Sequence, residues 1–382
     1  MTATDVLIAG AGPAGLAFGL ALADSGLDVT MVDARPAGAA AQDRRILALS
    51  HGSRQILERL GVWPQLPVTP IERIHVSQSG TLGRSLLAAA DYGLTALGYV
   101  VAAGKLAEAL ADALARTGVV VRHGTRLEQC TEQDEGCSAE LLAGGQSARV
   151  HARLVALCEG GVDAGGKEAV RERDYAQHAV LAIATPAAAT RGLAYERFTA
   201  HGPLALLPFG RDYCAIYTCP ADQLEAVMAL DEAAFAARLG AAMGGRVQFS
   251  RIGPRAAFPL VLRVRARAVE GHRVWLGNAA QTLHPVAGQG YNLALRDVIE
   301  LADRLRTGGM ADVSASLAQH AAARRLDRAG AIGFTDGLVR LFDLDLPAAR
   351  HARGLGLLAL DLCPPVRHML ARRMLFGARA WP

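Results

Sequence analysis

The first thirty residues alternate between buried-type apolar runs and glycine punctuation. Asp5 to Ala9 (DVLIA) reads as a short strand covered on both faces, the GAGPAG turn follows, and an apolar helix runs on to Ser25-Gly26. Asp28 to Val32 (DVTMV) supplies a second strand that ends at Asp33. Such a βαβ opening predicts a parallel sheet with helices on both faces. The spacing of His51 to Leu60 predicts a helix stopped at Gly61. A further helix is predicted from Ala103 to Arg116, leading into a strand at Val119 to Arg122.

Between about Tyr175 and Leu262 the texture changes to short β-rich stretches (HAVLAIAT, YERFTA, LALLPF, YCAIYT, RAAFPLVL), interrupted by one helical pair between Pro220 and Met243. That pattern predicts a mostly antiparallel sheet inserted into the first domain. Arg273 to Leu276 (RVWL) returns to the parallel sheet, a helix follows from Gln289 to Arg306, and the chain beyond Met310 is helical with a break at Pro364-Pro365. The domain division drawn from this is 1–172 for the first part of a nucleotide-binding domain, including part of the inserted sheet. Residues 173–265 form a β-rich substrate domain, 266–310 the second part of the first domain, and 311–382 a helical region.

Composition narrows the function classes. Of the 382 residues, 51% are hydrophobic and 20% charged, as in a well-packed globular protein. The net charge is only +4, and no arginine stripe interleaved with aromatics is present, which argues against nucleic-acid binding. The six cysteines form no CxxC pair and match neither a zinc site nor a small disulfide framework, so they read as free thiols in a reducing cytoplasm. No basic segment precedes an apolar one at the N-terminus, and the apolar run Leu355 to Cys363 is interrupted by Asp361 and too short to span a bilayer. From Asp345 onward, six arginines and two aspartates are interleaved with leucines. A basic amphipathic helix of this kind suits the surface of an anionic membrane, here the inner membrane, or a partner protein; an ordinary packed helix fits the same pattern.

Two glycine-rich segments carry the chemistry. Gly10-x-Gly12-x-x-Gly15 stands between strand and helix, with Pro13 and Ala14 inside it. Gly10 permits the tight turn, Gly12 lets a pyrophosphate approach the backbone, and Gly15 lets helix and strand pack closely. Asp33, eighteen residues after Gly15, suits the hydroxyls of a ribose. This segment specifies a dinucleotide but not which one. The second segment, residues 277–297, reads GNAAQTLHPVAGQGYNLALRD between a strand and a long helix.

That second segment resembles the FAD-binding segment of aromatic-ring flavin monooxygenases of the p-hydroxybenzoate hydroxylase type. Gly277, Pro285, Gly288, Gln289, Gly290 and Asn292 stand at the matching positions. Asn278 replaces the usual aspartate, and GNAAQTLHP is similar to the ubiquinone-biosynthesis branch of FAD-dependent hydroxylases, the 2-polyprenyl-6-methoxyphenol hydroxylase type. QDRRILALS (42–50), ERFTAHGPLALLP (196–208), Phe258-Pro259-Leu260, FTDGLVRLF (334–342) and the stretch up to Pro365 resemble the same branch, so the likeness spans almost the whole chain.

The resemblance implies an α/β fold in which a Rossmann-type FAD-binding domain carries an inserted, mainly antiparallel β-sheet substrate domain and C-terminal helices. It implies FAD as cofactor, NADPH or NADH as reductant and O2 as co-substrate, with oxygen transferred from a flavin C4a-hydroperoxide to a polyprenylated phenol. Arg45 is the match for an FAD-contacting arginine, with Arg44 as the second candidate. His201, Pro203, Leu204, Phe258 and Pro259 are the residues it places on the substrate side. Glu159-Gly160 stands where the family carries Asp-Gly, which implies rearranged hydrogen bonds at that point.

No acid–base triad is needed, because the flavin carries the hard chemistry. His284 is the first candidate for a proton donor and His201 the second; both also fit purely structural roles, His284 as the residue that sets the turn before Pro285. Other ubiquinone-biosynthesis proteins are candidate partners. Two further readings fit the same residues: a flavin hydroxylase of another phenol, and a flavin-binding accessory subunit that scaffolds other enzymes.

Overall fold

The computed structural model of the protein describes residues 2–81, 83–159, 170–189, 191–308, 310, 312–343 and 347–377. Strand Thr2–Ala9 leads into helix α1 (Pro13–Leu22) and strand Val29–Asp33, as the opening pattern predicts. Helix α2 (His51–Arg59) and helix α3 (Ala103–Leu114) also fall close to their predicted spans. Thr2–Ala9 pairs in parallel with Val29–Asp33 on one side and with Gln146–Leu157 on the other. Val120–His123 extends the sheet in parallel beyond Val29–Asp33, and Arg273–Trp275 extends it beyond Gln146–Leu157. Val6, Leu7, Ile8 and Ala9 are fully buried, as expected of a central strand covered on both faces. Each large side chain among them contributes about 1.5–3 kcal/mol of burial.

The second sheet holds the strands predicted in the insert. Val170–Pro186, Leu193–Thr199, Gly202–Phe209, Asp212–Pro220 and Ala256–Arg265 pair antiparallel, and α4 (Leu224–Ala229) with α5 (Glu232–Ala242) covers one face. Two strands of this sheet come from much earlier in the chain. Arg73–Gln78 pairs in parallel with Leu193–Thr199 and antiparallel with Arg84–Ala88. A small third sheet of Ile46–Ser50, Gly98–Ala102 and Thr69–Ile71 lies between the two larger ones in sequence and packs against both.

The chain then closes with α6 (Gln289–Gly308), the long α7 (Val313–Asp343), α8 (Pro347–Leu362) and α9 (Pro364–Phe376), the last two separated at the prolines. The charges on the facing sides of α6 and α7 form a buried cluster. Arg324 donates to Asp297 at 2.6 Å and to Asp327 at 2.5 Å, and Arg296 donates to Asp327 at 2.8 Å. Arg328 reaches the Gln281 side chain at 2.7 Å and the Arg265 carbonyl at 2.6 Å. No described helix is long and apolar enough to cross a membrane.

Candidate active site

The first glycine turn is built as its spacing requires. Gly10 has φ +107°, and a Cβ there would lie 2.8 Å from the Glu159 nitrogen. A Cβ on Gly15 would fall 1.9 Å from the Gly10 carbonyl oxygen, so only glycine lets α1 pass this close to the strand end. Above Gly12, by contrast, nothing lies within 4 Å. Pro13 occupies the first turn of α1, no acidic residue stands in that turn, and the first N–H groups of a helix have no partner within it.

Asp33 is buried at the end of its strand. Its Oδ2 accepts from the Ala11 N–H at 2.7 Å, and Arg35 donates to both carboxylate oxygens at 3.0 and 2.8 Å. Burial alone would raise its pKa, but the bonds from Arg35 and Ala11 outweigh that and hold the carboxyl below its usual range. Asp33 therefore braces the glycine turn, and its ionised carboxylate keeps further acceptor positions. Glu159 sits beside this group, and burial together with the negative charge of Asp33 pushes its pKa upward. Gly160 and the residues that follow it to 169 lie outside the described residues.

The second segment meets the first. A Cβ on Gly277 (φ +62°) would lie 3.0 Å from the Ala14 Cβ, and the Tyr291 hydroxyl donates to the Pro13 carbonyl at 3.3 Å. The N-terminal ends of α1 and α6 are thereby brought to one locus, and α6 also lacks an acidic residue in its first turn. Asn278 is exposed, Pro285 is exposed, and Gln289 is buried. At Gly290 a Cβ would meet nothing within 4 Å, while at Gly288 (φ +60°) it would lie 3.1 Å from the Ala48 Cβ.

Asn292 has a different part from the one the sequence gives it. Its Oδ1 accepts from the Ser50 N–H at 2.8 Å and the Ser53 hydroxyl at 2.6 Å, and its Nδ2 donates to the Ala48 and Gly288 carbonyls at 2.9 and 2.6 Å. All four hydrogen-bonding positions of the amide are used within the protein, so it clamps the Gly288 loop to the Ile46–Ser50 strand rather than reaching outward. Arg45 is exposed beside that strand and forms a forked ion pair with Asp43, its Nη2 2.6 Å from Oδ2.

The candidate proton donors separate. His284 is buried, and its Nδ1 accepts from the Val286 N–H at 3.1 Å, which fixes the turn around Pro285. Burial pushes its pKa down to about 4, so it is neutral at physiological pH. Its ring meets Tyr175 edge-on at 5.4 Å. His201 stands on the exposed tip of the hairpin between Leu193–Thr199 and Gly202–Phe209, its backbone tied to the Thr199 hydroxyl. It is not brought to the cleft.

The period-two rule sorts the expected substrate residues into two faces. Phe198 and its cross-strand partner Pro203 share the face that packs on Val286 and Val339. Phe258, two residues from Ala256, lies on the same face and is 39% exposed. Leu204 points the other way, into the core beneath α4 and α5, and Pro259 alternates with Phe258 to that opposite face. Those two residues therefore do not line the cleft.

Sequence reasoning missed Tyr175, Glu196 and Phe342. Tyr175 donates to Asp336 at 3.0 Å beside a bulge where Ala176 takes φ 52°, and Phe342 of α7 stacks on Phe198 at 3.5 Å between ring centroids. A positive φ at a non-glycine residue is an uncommon, strained conformation. No sequence signal marks it.

A family model described as an FAD binding domain matches residues 3–332. The chain belongs to that family. Curated relatives include the ubiquinone hydroxylase UbiL of Rhodospirillum rubrum, 32% identical over 99% of this chain and 91% of that protein. The 3-demethoxyubiquinol 3-hydroxylase of Escherichia coli is 31% identical over 94% of this chain and 95% of that protein. Among solved structures, the p-nitrophenol 4-monooxygenase PnpA from Pseudomonas putida DLL-E4 superposes with a TM-score of 0.76 at 15% identity, covering 99% of this chain and all of that one. PqsL from Pseudomonas aeruginosa reaches 0.74 at 19% identity, over 93% of this chain and all of that one. The fold is that of the p-hydroxybenzoate hydroxylase-like flavin monooxygenases, and the protein is an FAD-dependent monooxygenase of a family that uses NAD(P)H and O2.

Proposed function

We propose that the protein hydroxylates the ring of a polyprenylated phenol in ubiquinone biosynthesis, of the 2-polyprenyl-6-methoxyphenol type. The observation that carries this reading is the meeting of two open, glycine-floored helix N-termini beneath an apolar sheet face. Gly12 and Gly290 leave space where any side chain would intrude, and the first turns of α1 and α6 offer N–H groups and positive dipole ends. α1 would hold the pyrophosphate and Asp33 the ribose. The α6 end would face the part of the isoalloxazine that gains negative charge on reduction. When bound, FAD supplies the redox and oxygen-activating chemistry.

The chain's own residues exclude water and orient the ring. Phe198, Pro203, Val286, Val339 and Phe342 present an apolar wall, and Asn292 keeps the Gly288 loop against Ile46–Ser50. The relatives named as ubiquinone hydroxylases support the substrate class. In the FAD-loaded protein, 2-geranylphenol is expected to stimulate NADPH oxidation with formation of a ring-hydroxylated product. A protein that takes up FAD but shows no phenol stimulation would contradict the reading.

A prenyl tail belongs in lipid, and the C-terminal corner suits a membrane surface. Leu355, Leu358, Leu362, Val366 and Met369 are 66%, 40%, 74%, 41% and 49% exposed across the turn from α8 to α9, with Arg372 exposed nearby in sequence. Apolar side chains beside arginine are complementary to an anionic headgroup layer with acyl chains beneath it. Replacing Leu355 and Leu362 together by Asp is expected to lower co-sedimentation with vesicles containing anionic phospholipid roughly fivefold. Unchanged partition would sink the membrane assignment.

A further inference from the structure

In the second sheet the row that holds Glu196 is apolar except at that position, and the neighbouring row on the same face carries Gln78 and Thr218. Across the sheet, the register aligns Ala256, Leu181, Ile216, Ala205, Glu196 and Val76 in a single row. Residues directly opposite each other in a sheet share a face, so a lone carboxyl is set among five apolar side chains. Along its own strand, Glu196 lies between Phe198, which packs on Val286, and Ala194, which packs with Ile46, Ile71 and Val100. Val286 belongs to the Gly288 loop and Ile46 to the strand that carries Ala48, the two segments that Asn292 clamps together. Glu196 therefore faces the junction at which the cofactor's reactive edge would lie.

Its Oε1 is buried and has no hydrogen-bond partner among the described residues. Burying a carboxyl oxygen without a partner costs stability, and this one is held in a residue that is otherwise only half-buried. Nor is it a brace of the kind Asp33 provides, since no backbone N–H or arginine meets that oxygen. A carboxyl set in this way among apolar side chains can be completed by a polar group that arrives from outside. Leu181, Ile216 and Val76 around it are partly exposed, leaving room for an apolar ligand with one polar group.

We propose that the Glu196 carboxyl binds the phenolic hydroxyl of the substrate and so sets which ring carbon faces the cofactor. The inference rests on the phenol-hydroxylase reading above and deepens it. Burial pushes the Glu196 pKa up to about 8, so near neutrality the carboxyl carries a proton and can either donate to or accept from a phenol. An ether in place of the hydroxyl loses the donor and crowds the site, as expected wherever a pocket is built around one hydrogen-bonding group.

The test compares 2-geranylphenol with its methyl ether, read from the perturbation of the oxidised flavin spectrum of the FAD-loaded protein without reductant. Wild type is expected to bind the phenol about tenfold more tightly than the ether. Glu196→Leu is expected to bind both with the affinity of the ether, Glu196→Gln to keep part of the preference, and neither to lower Tm. Retention of the full preference in Glu196→Leu would overturn the assignment, and so would a fall in Tm with loss of FAD, which would make Glu196 a structural post. If wild type fails to bind either probe, the phenol reading of the cleft fails first and the inference falls with it.

Discussion

Between α6 and α7, Arg296, Asp297, Arg324 and Asp327 are buried, and each is answered by an opposite charge or a hydrogen bond. At the cleft His284 is buried and Glu196 half-buried, and Oε1 of Glu196 and Nε2 of His284 are buried with no partner among the described residues. The first group behaves as structure. Once buried, each charge keeps the next one ionised, as in Asp327, where Arg296 and Arg324 overcome burial and hold the pKa below its usual range. The second group is shaped by burial alone, which drives Glu196 and His284 toward their neutral forms. Paired charge holds two long helices beneath the cofactor side, whereas unpaired polarity is left where a substrate can complete it.

The comparison breaks most visibly at Asp327. Asp327→Ala removes the carboxylate between Arg296 and Arg324, leaving Arg324 with Asp297 alone, and is expected to cost about 3–5 kcal/mol in urea unfolding. Because the Asp327 pKa is depressed in the folded state, its contribution is present above the unfolded value and is lost as pH falls through the folded one. A loss under 1 kcal/mol would show that the cluster does not bear on stability.

A smaller effect separates the two unpaired groups. His284 is lowered from 6.5 to about 4, so its contribution is present above pH 6.5 and declines as pH falls toward 4. Glu196 is raised from 4.5 to about 8, so its contribution is present below pH 4.5 and declines as pH rises toward 8. Between pH 4.5 and 6.5 the two slopes oppose each other. Relative to wild type, His284→Gln is expected to lose about 2 kcal/mol across that interval as pH rises, and Glu196→Gln to gain about as much. Parallel slopes in the two variants would refute the account of burial at either site.

The smallest predicted effect concerns Glu196→Leu in the apo protein. Removing a half-buried carboxyl whose Oε1 has no partner is expected to leave stability unchanged or raise it by about 1 kcal/mol, measured by thermal unfolding. The same kind of replacement at Asp327 has the opposite sign, which is the comparison reduced to two substitutions.

Much of the cofactor side was legible in the sequence because glycine is demanded there by close approach. Gly10, Gly15 and Gly277 are positions where a Cβ would strike backbone or a neighbouring helix. The apolar runs likewise marked the central strands, since a strand buried on both faces has few polar positions to confuse it. Strands Arg73–Gln78 and Arg84–Ala88 were not legible as members of the far sheet. Arg73–Gln78 joins that sheet through Leu193–Thr199, more than a hundred residues later, and local pattern does not report such pairing. The likeness placed Pro203 and Leu204 together on the substrate side, whereas the strand puts them on opposite faces. The pairing of Arg296, Asp297, Arg324 and Asp327 is made by two helices laid together, which local sequence pattern does not report. Glu196 was hidden for the same reason, as one polar residue in a strand whose environment is set by elements distant in the chain.

The most direct measurement supplies isotopically labelled O2 and NADPH to the FAD-loaded protein with 2-geranylphenol and weighs the product. The account predicts one labelled oxygen atom on the ring, formed with NADPH oxidation. NADPH consumption that yields only hydrogen peroxide, with the phenol recovered unchanged at every concentration, would contradict it.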